Sequence, residues 1–230
     1  MIATPVRFFL GNGAPDLFTL RLPSLNDDAL CDCFAADCSP HRSRQAERYR
    51  RQEDRLRCLA AGWLLDHAVR LVTGTGAVEE KDAQGKSVLS NLPHLGVSLS
   101  HAGAWVVCAL HGAAVGIDVE IEAPPEEGMA KLFMSKRELS HYLELPDIEE
   151  QIRFFFAVWT MKEAYLKALG TGFSRSPRQV SLDIGEDTVV VEDAPERGCA
   201  STRLWRCHTA RLPGEAARLS LCWLHRIETS

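Results

Sequence analysis

The stretch that most constrains this chain runs from Phe154 to Gly172: Phe-Phe-Phe-Ala-Val-Trp-Thr-Met-Lys-Glu-Ala-Tyr-Leu-Lys-Ala-Leu-Gly-Thr-Gly. Phe155, Val158, Met161, Tyr165 and Ala168 recur at helical spacing, and Gly170 with Gly172 offers an exit. A stripe of that length has to be covered by another layer of the fold. On the other side Trp159, Glu163 and Lys167 lie four apart and share one face. Taken alone, a glutamate and a lysine one turn apart form an ordinary surface ion pair, worth about 0.3–0.5 kcal/mol.

A second acidic element stands upstream, Gly116-Ile-Asp-Val-Glu-Ile-Glu122. Its alternation predicts a strand with Ile117, Val119 and Ile121 on one face and Asp118, Glu120 and Glu122 on the other. Carboxylates at period two repel unless solvent or a cation separates them. Two readings stand: an edge strand with a wet face, or a site for a hard cation. Magnesium prefers carboxylate oxygens and keeps other positions for water and phosphate, so two strand carboxylates plus Glu163 have the right chemistry.

The chain has 230 residues, 46% hydrophobic and 25% charged, the composition of a globular protein with room for a large core. Its longest apolar run, Ala104–Leu110, is far short of the ~20 residues of a membrane helix. Neither a membrane segment nor a secretory signal is read from the sequence, and a cytoplasmic monomer is expected. In such a compartment the eight cysteines read as thiols. Cys108 and Cys222 lie in apolar runs and read as small buried hydrophobes, while Cys31, Cys33, Cys38 and His41 match no common zinc spacing.

Ser39-Pro40 starts a helical pattern that runs to about Val72. Its first half carries Arg42, Arg44, Arg48, Arg50, Arg51, Arg55 and Arg57, suited to phosphate contacts. A solvated surface, an anionic small-molecule site and a nucleic-acid patch all fit this run. The formal charge of −5 argues against a general nucleic-acid binder. Gln84-Gly85-Lys86 makes a turn with a basic tip, and Val97–His101 pairs with Trp105–Leu110 around Ala102-Gly103-Ala104. Strands are also expected at Val6–Leu10, Val180–Ile184, Thr188–Val191, Leu204–His208 and Leu219–Leu224, with helices at Leu25–Phe34 and Met129–Leu143. Each half, divided near Gly112, then holds one major helix and several strands. Two α+β subdomains, 1–112 and 113–230, sharing a ligand cleft are expected.

Together these blocks resemble the Sfp-type 4′-phosphopantetheinyl transferase superfamily. Trp159-Thr-Met-Lys-Glu…Lys167…Gly170-Thr-Gly172 is similar to the family's Trp-Ser-x-Lys-Glu…Lys…Gly-x-Gly block, and Gly116-Ile-Asp-Val-Glu120 to its Gly-Ile-Asp-x-Glu block. Ser100-His101 with Gly103 and Trp105, Gly85-Lys86, and Glu53-Asp54-Arg55-Leu56-Arg57 resemble its remaining elements. The chain departs from the pattern at Ser87, Ser98, Cys58 and Gln45, where proline, asparagine, threonine and a basic residue are common. The resemblance implies two similar halves related by a pseudo-twofold, with coenzyme A between them. It also implies magnesium-dependent transfer of the phosphopantetheine arm to a serine of an apo acyl, peptidyl or polyketide carrier protein, as in secondary-metabolite biosynthesis, with release of adenosine 3′,5′-bisphosphate. On that pattern Asp118, Glu120 and Glu163 hold Mg2+, Glu163 is the base, and Lys167 serves the leaving phosphate. Lys86, Arg57, His101 and Ser100 contact phosphates, Arg42 takes the 3′-phosphate, and Trp159 packs beside the pantetheine. Lys162 points away from Glu163, to support the site or meet the carrier. A magnesium-dependent phosphohydrolase, or a nucleic-acid module built on residues 42–57, are the alternatives.

Overall fold

A computed structural model describes residues 4–171, 176–184, 189–193 and 205–224. The chain divides into two compact units, Met1–Gly112 and Ala113–Ser230. The first begins with strands β1 (Val6–Phe8) and β2 (Asp16–Arg21) and helices α1 (Asp28–Asp37), α2 (Pro40–Ala46) and α3 (Gln52–Thr73). The short hairpin β3 (Glu79–Lys81) and β4 (Ser87–Leu89) and the long hairpin β5 (Gly96–Ala102) and β6 (Trp105–His111) complete it. An antiparallel sheet in the order β1-β2-β6-β5 carries α3 against it. Phe18, Leu20, Leu56, Leu64, Val106 and Cys108 form the centre of that core.

The expected continuous helix from residue 39 to 72 is two helices with a turn over residues 47–51. Ser39 caps the first by accepting from Arg42 N, with proline at its first turn. Glu53 and Asp54 favour a new start, because negative charge in a first turn complements the helix dipole. The pattern also hid β2. Its run Leu17-Phe18-Thr19-Leu20 does not alternate, because the strand is buried on both faces.

The second unit holds β7 (Val115–Ile121), α4 (Met129–Phe133), α5 (Lys136–Glu144), α6 (Ile148–Leu169), β8 (Val180–Ile184), β9 (Val189–Asp193), β10 (Trp205–Leu212) and β11 (Ala217–Leu224). The helix expected over 129–143 breaks at Ser135, which forms a capping box with Glu138 and starts α5 afresh. Helix α6 begins six residues before Phe154 and ends at Gly170, whose φ of 73° closes it in the left-handed conformation. Gly172, Thr188 and Leu204, named at the ends of expected elements, lie outside the described residues. The apolar stripe expected on α6 is buried throughout, and the helix packs on β7 and β11 of the sheet β10-β11-β7.

Strand β7 forms where the alternation predicts it, one residue earlier at each end than Gly116–Glu122, and stands at the sheet's edge, but its acidic face is covered. Gly116, Asp118 and Glu120 share the face that α6 covers, and Asp118 is only 3% exposed. Gly116 permits this cover. A methyl built there lands 2.5 Å from Ala168 N and nearer still to Ala164 O, both backbone atoms of α6. A glycine inside a strand marks such an approach. Among the described residues no helix is long and apolar enough to cross a membrane.

Candidate active site at the crossing of β7 and α6

Where α6 crosses β7, the one-sided spacing of Trp159, Glu163 and Lys167 meets the alternation of Asp118 and Glu120. Lys167 Nζ donates to Asp118 Oδ1 at 2.7 Å and to Ile117 O at 3.1 Å. The Trp159 side chain lies beside the Glu120 carboxylate and lowers its proton affinity. Its ring stacks on Phe133 with centroids 4.3 Å apart, which holds the indole in place. One turn below Glu163, the buried Thr160 and Ser220 hydroxyls share a 2.7 Å hydrogen bond, tying the helix to β11 beside the Asp118 register.

The electrostatics of this crossing are set by crowding. Burial, then the neighbouring Asp118, push the Glu120 carboxyl up to about 7; Lys167 and the Trp159 side chain pull the other way. Burial and Asp118 likewise raise Glu163, against the pull of Lys167. Three carboxylates thus feel one another in a half-buried place with one ammonium among them. Glu122 stands apart from this group. It is buried between Arg218 and Arg211, each at 2.8 Å, and its charge is spent on the sheet.

A family model described as the 4′-phosphopantetheinyl transferase superfamily matches residues 114–220, which contain this crossing. The 4′-phosphopantetheinyl transferase Sfp of Bacillus subtilis (strain 168) is 31% identical over 170 residues, 71% of this chain and 74% of that protein. The chain belongs to the 4′-phosphopantetheinyl transferase superfamily. The transferase psf-1 of Bacillus pumilus is 34% identical over 62% of each chain, and HetI of Nostoc sp. is 31% identical over 67% of this chain and 69% of its own. Among solved structures, the holo-[acyl-carrier-protein] synthase of Thermotoga maritima overlaps 50% of this chain and 64% of its own. Its TM-score of 0.39 and 21% identity are too low to bear on the fold.

For this member of the transferase superfamily, the other residues singled out from sequence fall into two groups. Arg42 and Arg57 are committed within the first unit. Arg42 is buried and grips Glu79 with Nε and Nη2, both at 2.6 Å, beside the Gly62 backbone. Arg57 donates to Gly103 O at 2.8 Å, Asp54 at 2.9 Å and Glu53 at 3.3 Å, joining α3 to the β5–β6 turn. Neither stands open to a phosphate in this arrangement. Lys86 lies at the tip of the β3–β4 turn, where Gly85 has a φ of 82°; burial lowers its proton affinity against the pull of Asp82. Ser100 and His101 sit at the end of β5, Ser100 half-buried and His101 exposed.

Lys162 does not reach the surface, where the sequence allowed it to meet a carrier protein. It is fully buried, donating to Glu138 Oε2 at 2.6 Å and to Phe133 O at 3.2 Å. Glu138 in turn accepts from Ser135 N and Leu182 N, so the pair locks α4, α5, α6 and β8 together. Among the described residues no three histidine, cysteine, aspartate or glutamate side chains are gathered closely enough to enclose an ion. Sequence reasoning missed the approach of Trp159 to Glu120 and the need for glycine at 116. The signal for the latter was a glycine opening an otherwise β-branched and acidic strand.

Proposed function

We propose that this chain transfers the 4′-phosphopantetheine arm of coenzyme A to a serine hydroxyl of an apo carrier protein, releasing adenosine 3′,5′-bisphosphate. The observation that carries this reading is the meeting of Asp118, Glu120, Glu163 and Lys167 where α6 crosses β7, in a chain of this family. The residue types suit magnesium, which prefers carboxylate oxygens: Asp118 raises the proton affinity of both Glu120 and Glu163, although in this arrangement the three are not drawn together tightly enough to enclose an ion. Asp118, Glu120 and Glu163 would hold it; when bound, the ion supplies positive charge to the diphosphate of coenzyme A.

Glu163 takes the proton from the carrier serine, a task suited to a carboxylate whose proton affinity burial and Asp118 raise. Lys167, a third exposed and one turn on, neutralises the departing phosphate; Asp118 holds its ammonium meanwhile. Trp159 lowers the proton affinity of Glu120 beside it, keeping that carboxyl nearer its charged form. Lys86, Ser100 and His101 are assigned to phosphates of coenzyme A. Arg42 and Arg57 are left out of that set because Glu79, Asp54 and Glu53 occupy them.

The test is incubation with coenzyme A, magnesium and an apo carrier protein, followed by mass for the added phosphopantetheine. Glu163→Gln, nearly isosteric, is expected to lower transfer by roughly 10²–10⁴-fold. Near-wild-type transfer by that variant removes Glu163 from the chemistry. Consumption of coenzyme A without carrier modification would identify a hydrolase instead.

A further inference from the structure

Cys207 on β10 and Cys222 on β11 are direct partners in the antiparallel register. The Cys207 thiol donates to Cys222 Sγ across 3.3 Å. Opposed residues of an antiparallel pair have Cα atoms about 4.5–5.5 Å apart, inside the ~4.4–6.8 Å span that a disulfide bridges. The backbone is therefore already set for a bond, and the two sulfurs need only close to about 2.05 Å. The two thiols differ in access: Cys222 is fully buried and Cys207 half-buried. Other described cysteines have other surroundings. Cys38 donates to Leu59 O, Cys108 is fully buried, and Cys33 is exposed.

We propose that Cys207 and Cys222 form a reversible dithiol–disulfide site, closed by a peroxide-class oxidant and reopened by a thiol. Cys207, the accessible member, attacks one peroxide oxygen; the O–O bond breaks and water leaves, giving the Cys207 sulfenic acid. Cys222 Sγ then attacks that sulfur, the S–S bond forms and a second water departs. Two thiols lose two electrons and two protons, and one hydrogen peroxide becomes two waters. A thiol reductant reverses the step and departs as its own disulfide. Burial and the Cys207 sulfur both raise the Cys222 thiol, consistent with its acting second.

The site sits beneath the helix that bears Glu163. Cys222 pairs on its other side with Gly116, where the α6 backbone passes close, and packs in the same core as Met161 and Tyr165. Closing the bond staples the β10–β11 hairpin directly under that contact.

The experiment uses the full chain, reduced, freed of reductant and exposed to stoichiometric hydrogen peroxide, then alkylated and digested without reduction. The expected product is a peptide pair joining Cys207 to Cys222, lighter by two hydrogens and released by a thiol reductant. The oxidised chain should also unfold at higher urea than the reduced one, a shift absent from Cys207→Ser. Recovery of Cys207 alkylated, as sulfinic acid, or joined to another cysteine, Cys199 included, overturns the proposal. That mapping is made on the unaltered chain, so it stands even if a variant folds poorly.

Discussion

Replacing Gly116 with alanine tests how tightly the active-site crossing is held. The added methyl would meet Ala168 N at 2.5 Å and Ala164 O more closely still, and both are backbone atoms of a 22-residue helix. Restoring an ordinary contact of roughly 3.5 Å requires α6 to retreat by about 1 Å from Ala168 N and by more than that from Ala164 O. Overpacking of this kind costs about 1–3 kcal/mol, at the upper end when backbone rather than a side-chain tip must move. At about 2–4 °C per kcal/mol for a chain of this size, the melting midpoint should fall by several degrees. The same retreat draws Glu163 and Lys167 from Asp118 and Glu120, and a misplacement of about 1 Å costs on the order of 10²-fold in rate. Circular dichroism melting and carrier-modification kinetics measure the two effects on one sample. Gly112→Ala is the control, since a methyl there meets nothing within 4 Å. If Gly116→Ala keeps both the midpoint and kcat/KM of the parent, the close packing of α6 on β7 is wrong.

Lys162→Ala strands the Glu138 carboxylate in the core, and a broken buried pair costs about 3–5 kcal/mol, so the urea midpoint should drop sharply; an unchanged midpoint refutes the pairing. The Glu79 carboxyl, which burial alone would raise, is held below its ordinary value by the Arg42 fork. Its folded state thus binds the proton less readily than the unfolded state. The stabilisation is complete above pH 4.5 and disappears as pH falls through the lower folded value, a loss that Glu79→Gln should not show in acid titration of stability. Lys167→Met removes the cation that lowers both Glu120 and Glu163, so both carboxyls should titrate at higher pH by 13C NMR. Unmoved titrations would place Lys167 elsewhere.

The acid–base elements of the site were legible because each is written in a local period. Period two put Asp118 and Glu120 on one face of β7, and a spacing of four put Trp159, Glu163 and Lys167 on one face of α6. Which strand face α6 would cover was not legible, and the acidic face proved to be the covered one. The arginine-rich stretch misled for a related reason. Its composition suits phosphate, yet Arg42 is neutralised by Glu79, 37 residues away and on another element. The breaks at residues 47–51 and at Ser135 escaped periodicity because a cap acts on one residue, whereas a hydrophobic stripe averages over many.

By itself, then, the sequence determined the kinds of element, the faces they present and the family they signal. Element kind and face follow from the chirality and repeat of a single backbone segment, and the family from the residues of several motifs taken in order. Only the tertiary structure decided which charges meet: Lys167 with Asp118, Lys162 with Glu138, Arg42 with Glu79, and the thiol of Cys207 with that of Cys222. Those pairings depend on sheet register and on how closely one helix lies on its strands. Both are settled by the packing of the whole unit, through contacts that no local pattern records.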